Sequence, residues 1–274
     1  MSKDLRGIAG ALSIAGSDSG GGAGIQADLK TFAALGVHGT TVVTCITAQN
    51  PRRVLSIQPC NVLLVQRQLQ AVFSELPPTA AKTGMLYSGR IIDVVADFFK
   101  NRRLPLVVDP VMISTSGSHL LQTKGLRNLC LGLLPFATVV TPNVPETEVL
   151  LGRRLHTPED LRSAARELNG RFGCAALVKG GHLRGLREAV DLFYDGQNEL
   201  LLSAPFLKGI NTHGTGCTFS AAITAFLARG FSLSKAVSAA KVFITEAIAQ
   251  NQLVHGHRVL KTTWGTRRKP RFPS

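Results

Sequence analysis

Short apolar segments rich in β-branched residues alternate with amphipathic segments along nearly the whole chain. Most of the apolar segments stop at glycine, proline, an amide or a charge. Leu12–Ala15, Thr40–Thr47, Ala80–Thr83, Leu106–Asp109, Ala137–Thr141 and Ala175–Val178 read as buried strands. Between and after them, Ile25–Leu35 (ending at Gly36), Asn61–Phe73, Ile91–Phe99, Gly125–Leu133, a segment capped by Thr157 and running from Pro158 to Leu168, Cys217–Ala228 and Leu233–Gln250 have helical spacing or caps. Glu188–Tyr194 and Glu199–Ser203 read as a hairpin. Such alternation predicts βα units: an α/β fold whose mainly parallel sheet is covered by helices on both faces. No linker or internal repeat divides it, which predicts one domain over 1–257 followed by a basic tail over 258–274.

A parallel sheet binds ligands beyond the C-terminal ends of its strands. Six predicted strand ends carry Gly, amide or charge there: Gly16-Ser17-Asp18, Gln49-Asn50, Asp109, Asn143 with Glu146, Lys179-Gly180-Gly181-His182, and the loop at Gly214. The last is the sharpest. Asn211-Thr212-His213-Gly214-Thr215-Gly216-Cys217 feeds directly into an apolar helix. Free amides and the positive dipole end of that helix make an anion site. Cys217 sits in its first turn, where a helix N-terminus lowers a thiol's pKa. A base beside an anion cradle is what phosphoryl transfer requires. Thr212 and Thr215 would add hydroxyl donors, while His213 reads as a structural turn residue.

Each remaining candidate has two readings. Asp109 either organises Mg²⁺, directly or through water, or caps the turn before Pro110; Asn143 and Glu146 either assist that metal or cap a helix. Lys179 either meets phosphate or is a solvated turn lysine. Asp28 accepts from an alcohol or ring amine, or merely suits a helix's first turn. Gln49 can present donor and acceptor to a heteroaromatic edge. Met85 contacts a ring face or fills core. The Gly16–Gly24 loop is neither GxGxxG in a dinucleotide context nor a Walker motif.

Composition narrows the function classes. Five cysteines, Cys45, Cys60, Cys130, Cys174 and Cys217, form no CxxC pair, which disfavours disulfides and zinc. His255-Gly-His257 lacks further ligands for a metal. The opening residues do not read as a signal peptide, and no apolar run approaches the ~20 residues that span a bilayer. The 274 residues carry 31 Lys plus Arg against 17 Asp plus Glu, a net charge of +14. No acid follows Glu246, whereas Arg258, Lys261, Arg267, Arg268, Lys269 and Arg271 do. This is either a nucleic-acid-binding tail or a solvated terminus; no aromatic interleaving accompanies it, so nucleic acid is not the expected partner.

In order along the chain stand AGSDSGGGAGIQADLKTF, TAQN, KTGM, DPVM, TPNVPE, VKGGH and NTHGTGC. Together they resemble the hydroxymethylpyrimidine/phosphomethylpyrimidine kinases of thiamine biosynthesis, within the ribokinase-like superfamily. The resemblance spans Leu12 to Gln250 and implies a three-layer α/β/α sandwich and an ATP- and Mg²⁺-dependent kinase, commonly a cytoplasmic homodimer. It would phosphorylate 4-amino-5-hydroxymethyl-2-methylpyrimidine and then the monophosphate. It implies a pyrimidine site of Gly16, Ala23, Asp28, Gln49, Met85 and Val111. The amides of Gly214, Thr215, Gly216 and Cys217 would form the anion hole, with Cys217 as base. Lys179, Thr212 and Asn143 would meet ATP, and Asp109 and Glu146 would organise Mg²⁺. The chain departs from the pattern at Cys217, where the wider superfamily has Asp, and at Ser19-Gly20 and Thr47. The alternatives are a pyridoxal kinase of the same superfamily, or a non-catalytic pyrimidine sensor or nucleic-acid binder.

Overall fold

The computed structural model describes residues 7–113, 120–122, 125–181, 183, 188–205 and 213–262. Eight strands form the main sheet: β1 (Gly10–Ala15), β2 (His38–Val43), β5 (Ala80–Thr83), β6 (Leu106–Val108), β7 (Val139–Val140), β8 (Ala175–Lys179), β9 (Glu188–Tyr194) and β10 (Glu199–Pro205). Their order is β10-β9-β8-β7-β6-β5-β1-β2. The pairings from β2 to β8 are parallel, and β9 and β10 add an antiparallel edge. The order turns back between β1 and β5, which is where an open α/β sheet leaves a crevice for ligand.

Period-two alternation decides which helix each strand residue meets. Leu12, Ile14, Ala81, Leu106, Val108, Val140, Ala176 and Val178 face one core. That core is shared with helices α2 (Val62–Glu75), α3 (Gly89–Phe99), α5 (Val144–Leu151) and α6 (Pro158–Phe172). Ala11, Ala80, Val107, Val139, Ala175 and Leu177 face the other core, against α1 (Gly24–Ala34), α7 (Thr215–Ala228) and α8 (Leu233–Ala249). This is the expected three-layer sandwich. On α7, Ala221, Ala222 and Ala225 are fully buried. Side chains that small let α7 lie close to the sheet and to Ala236, Ala239 and Ala240 of α8.

Three sequence expectations are refined. Thr40–Thr47 is two strands, not one. Thr44 turns the corner, donating its amide to Ala15 O and its hydroxyl to Met85 O at 2.6 Å. The chain then leaves the sheet as β3 (Cys45–Asn50), which pairs with β4 (Arg53–Pro59) through a bulge at Ala48/Gln49. Gly125–Leu133 is helical as expected, but its hydrogen bonding changes along the way: α4 (Gly125–Asn128) passes into a π-helix over Leu129–Leu133 and a 3₁₀ turn over Leu134–Phe136. Pro135, with no N–H to donate, suits that break in the α ladder. Finally, β11 (Gln252–Val254) and β12 (His257–Val259) form a hairpin after α8. The expected division at 257/258 falls inside β12.

Candidate active site

The glycine-rich loop after β1 is folded by one carboxylate. Asp18 Oδ1 accepts from Gly20 N at 2.8 Å, and Oδ2 from Ala23 N at 2.8 Å and Gly22 N at 3.1 Å. His213 Nε2 lies 3.1 Å from Oδ2. Burial opposes the charge of Asp18, but His213 and these amides hold its carboxyl below the usual range. Asp18 thereby joins the glycine loop to the loop before α7. Gly214 completes the seam: its φ is +82°, and a Cβ there would lie 1.8 Å from Gly22 O. Only glycine meets both demands.

Gly214 is the N-cap of α7, and the helical ladder starts with Thr218 N donating to Gly214 O. The amides of Thr215, Gly216 and Cys217 accordingly have no acceptor among the described residues. Three such amides at one helix end are the arrangement that an anion cradle needs. Beside them sits the Lys179–Asp109 pair. Lys179 Nζ donates to Asp109 Oδ1 at 2.9 Å, and a Cβ on Gly216 would lie 3.2 Å from that ammonium. Lys179 is thus an enclosed partner of the cradle, not a solvated turn lysine.

Cys217 corrects its expectation. The thiol receives the amide of Gly24, but burial pushes it up to about 11, with Asp28 and Asp109 adding to the rise and Lys82 opposing it. Asp28 is fully buried, with Oδ1 accepting from Lys82 Nζ at 2.6 Å and Oδ2 from Ser13 Oγ at 2.6 Å. Each oxygen already has one protein donor.

Several of the residues expected on the acceptor side gather around Gly16. A Cβ there would lie 2.5 Å from Cys45 Sγ and 3.4 Å from Met85 Sδ. Met85 packs with Cys45 and Leu120, flanked by Ile57, Tyr87 and Val111, so it fills core and forms a wall at once. Ala23 caps α1, and Gln49 stands half-buried at the β3 bulge. The backbone of Gln49 is tied to Ser19 Oγ, while its side-chain amide has no hydrogen bond among the described residues. Thr212 lies outside the described residues.

Asp109 and Glu146 are the carboxylates nearest the cradle lysine. Asp109 is buried and accepts from Lys179 and Thr141 on Oδ1 and from Ser220 on Oδ2. Glu146 and Asn143 form a reciprocal capping box: Glu146 N donates to Asn143 Oδ1, and Asn143 N to Glu146 Oε2. Burial pushes the Glu146 carboxyl up to about 7, with Lys179 opposing and Asp109 reinforcing. Among the described residues, no cluster of three or more His, Cys, Asp or Glu is gathered for a metal. Two neighbouring buried carboxylates suit an ion that keeps its waters and takes phosphate oxygens. The donor set therefore fits Mg²⁺ held chiefly by water and nucleotide.

The structure draws in two further residues, Asp18 and Lys82, to which the sequence assigns no chemical role. Asp18 had no metal, base or phosphate signature, only its place before glycines. Lys82 had one signal: a charge inside AAKT, a segment that reads as wholly buried.

This sheet, with its amide cradle, lysine and carboxylates at one edge, defines a kinase of ribokinase-like fold. The chain belongs to the phosphomethylpyrimidine kinase family, whose model matches residues 18–262. It is 50% identical over 240 residues to a hydroxymethylpyrimidine/phosphomethylpyrimidine kinase of Rhizobium meliloti, covering 87% of this chain and 90% of that one. The solved phosphomethylpyrimidine kinase of Clostridium difficile superposes with a TM-score of 0.78 at 42% identity, over 88% of this chain and 99% of the other. A Bacillus subtilis pyridoxal kinase in complex with ADP superposes at 0.86 with 38% identity, over 93% and 98% of the two chains.

Proposed function

We propose that this kinase transfers the γ-phosphoryl group of ATP to the hydroxymethyl oxygen of 4-amino-5-hydroxymethyl-2-methylpyrimidine. It then phosphorylates the resulting monophosphate to the diphosphate, supplying thiamine biosynthesis. The observation that carries this reading is the amide cradle of Thr215, Gly216 and Cys217 with Lys179 beside it. Transferred phosphoryl charge develops on oxygens that fixed amides and an ammonium stabilise. Mg²⁺, held toward Asp109 and Glu146, neutralises nucleotide phosphate charge when bound. Gly16, Met85 and Val111 offer a narrow apolar slot to a flat ring, and Gln49 offers its amide to the ring edge.

In the first step the alcohol oxygen bonds to the γ-phosphorus, the bond to the bridging oxygen breaks, and ADP leaves. The alcohol's proton passes to Cys217 as thiolate. With the thiol near 11, only about one molecule in a thousand is ionised at pH 8. A loose transition state eases that demand, because little negative charge is needed on the attacking oxygen before transfer. The second acceptor is already an anion at neutral pH and needs little base.

By resemblance the enzyme acts as a cytoplasmic homodimer. Exposed Ile46 and Leu55 on the β3–β4 hairpin and Leu63 and Leu64 on α2 support a self-association surface; gel filtration with light scattering tests it. Among the described residues no helix is long and apolar enough to cross a membrane. The likeness to a pyridoxal kinase supports a second reading, the same transfer to pyridoxal. The deciding experiment incubates the enzyme with ATP, Mg²⁺ and each alcohol. Mono- and diphosphate products and a higher kcat/KM for the pyrimidine are expected; a higher value for pyridoxal would reverse the assignment.

A further inference from the structure

One buried charge has no role in the chemistry above. Lys82 lies on β5, its side chain fully enclosed. Ala80, two residues earlier on the same face, packs in the core shared with α1, α7 and α8, so Lys82 points into that layer. Its Nζ donates to Asp28 Oδ1 at 2.6 Å and to the carbonyl oxygen of Cys217 at 3.4 Å. Asp28 is held in turn by Ser13 Oγ at 2.6 Å. The same Cys217 carbonyl lies 3.1 Å from Ser220 Oγ, which is also 3.3 Å from Asp109 Oδ2. That carbonyl belongs to the first turn of α7, the turn whose amides form the cradle.

A buried ion pair is a poor packing device. Two charges lose their hydration, and apolar residues of equal volume often serve a core as well or better. Here the pair lies on the side of the sheet covered by α1, α7 and α8, against the first turn of α7.

We propose that Lys82 is a positioning residue for phosphoryl transfer: gripped by Asp28, its ammonium holds the Cys217 carbonyl and so aims the amide cradle. The claim rests on the kinase reading. It differs from a structural role in what it predicts. A purely structural pair can be exchanged for a neutral one at little catalytic cost, whereas a positioning pair cannot.

The test is the double variant Lys82→Met/Asp28→Asn, which leaves no lone buried charge, assayed as the full chain. Its melting temperature is expected within roughly 5 °C of wild type. Its kcat for the pyrimidine alcohol should fall at least about tenfold, with KM for ATP and alcohol moving less than about threefold. Alkylation of Cys217 by iodoacetamide, followed on its own peptide by mass spectrometry, should slow as well, a readout independent of turnover. A folded double variant with kcat within about twofold of wild type, or a loss carried mainly by KM, overturns the proposal. If the double variant does not fold, Lys82→Arg decides: it keeps the charge but displaces it. A kcat loss at unchanged melting temperature supports positioning, and unchanged kcat overturns it. Wild type is run alongside. Failure of wild type to phosphorylate the alcohol would count against the assigned reaction, whereas equal turnover of wild type and variant counts only against Lys82.

Discussion

At the scale of single residues, two acids of opposite chemistry set the pH behaviour. The Cys217 thiol, near 11 in the free enzyme, is neutral through the physiological range. Since kcat/KM reports ionisations of the free enzyme, its value for the alcohol should climb steadily with pH through the neutral and mildly alkaline range. The value for the monophosphate should be much flatter, and Cys217→Ala should flatten the first profile and depress it more than the second. Equal losses in both steps would mean that Cys217 only shapes the loop. Glu146 acts on stability. Its carboxyl titrates near 7 when folded against an ordinary 4.5, so the folded state binds the extra proton between those values. Without nucleotide, the contribution of Glu146 to stability is fully present below about 4.5 and is lost as pH rises to about 7. Melting curves of Glu146→Gln should lack that decline; an identical slope in both proteins would refute it.

At the scale of elements, the cradle depends on a glycine that no other residue replaces. Gly214→Ala puts a Cβ into Gly22 O and a side chain into a left-handed conformation. The conformational part alone costs on the order of 1–3 kcal/mol. A lowered melting temperature and loss of both phosphorylations are expected. Full activity would show that the seam can shift without harm. The same elements show what could be read from residues alone. Gly214, Gly216 and the apolar helix after them were legible because glycine freedom and helix ends are local properties. Asp109, Glu146 and Lys179 were legible as strand-end chemistry. The corner at Thr44 was not, because TTVVTCIT is β-branched throughout and only a tertiary bond to Met85 O shows where the strand departs. Nor was the fate of Asp28: its ion pair with Lys82 spans 54 positions, and no spacing rule couples them. At Cys217 the helix end is a local property that the sequence shows, whereas the burial that pushes the thiol up belongs to the packed fold.

At the scale of the whole molecule, the charge distribution separates catalysis from any binding role of the C-terminal end. Residues 263–274 hold Arg267, Arg268, Lys269 and Arg271 and no acid, so deleting them takes the net charge from +14 to +10 (14 − 4). The deletion should leave melting temperature and both turnover rates unchanged. A salt-dependent shift of RNA or DNA by the full chain, absent in the deletion, would give the tail a nucleic-acid role.

The link between Asp18 and His213 also bears on how the enzyme comes into being. Those residues are 195 positions apart, and the two loops they join supply the acceptor wall and the phosphate cradle. Closing a loop of that length costs chain entropy that the rest of the fold must offset. A growing chain therefore has no competent centre until both loops have been made. Catalysis becomes a sensor of completed topology, and no contiguous fragment lacking either the Asp18 loop or the His213 loop should turn over substrate.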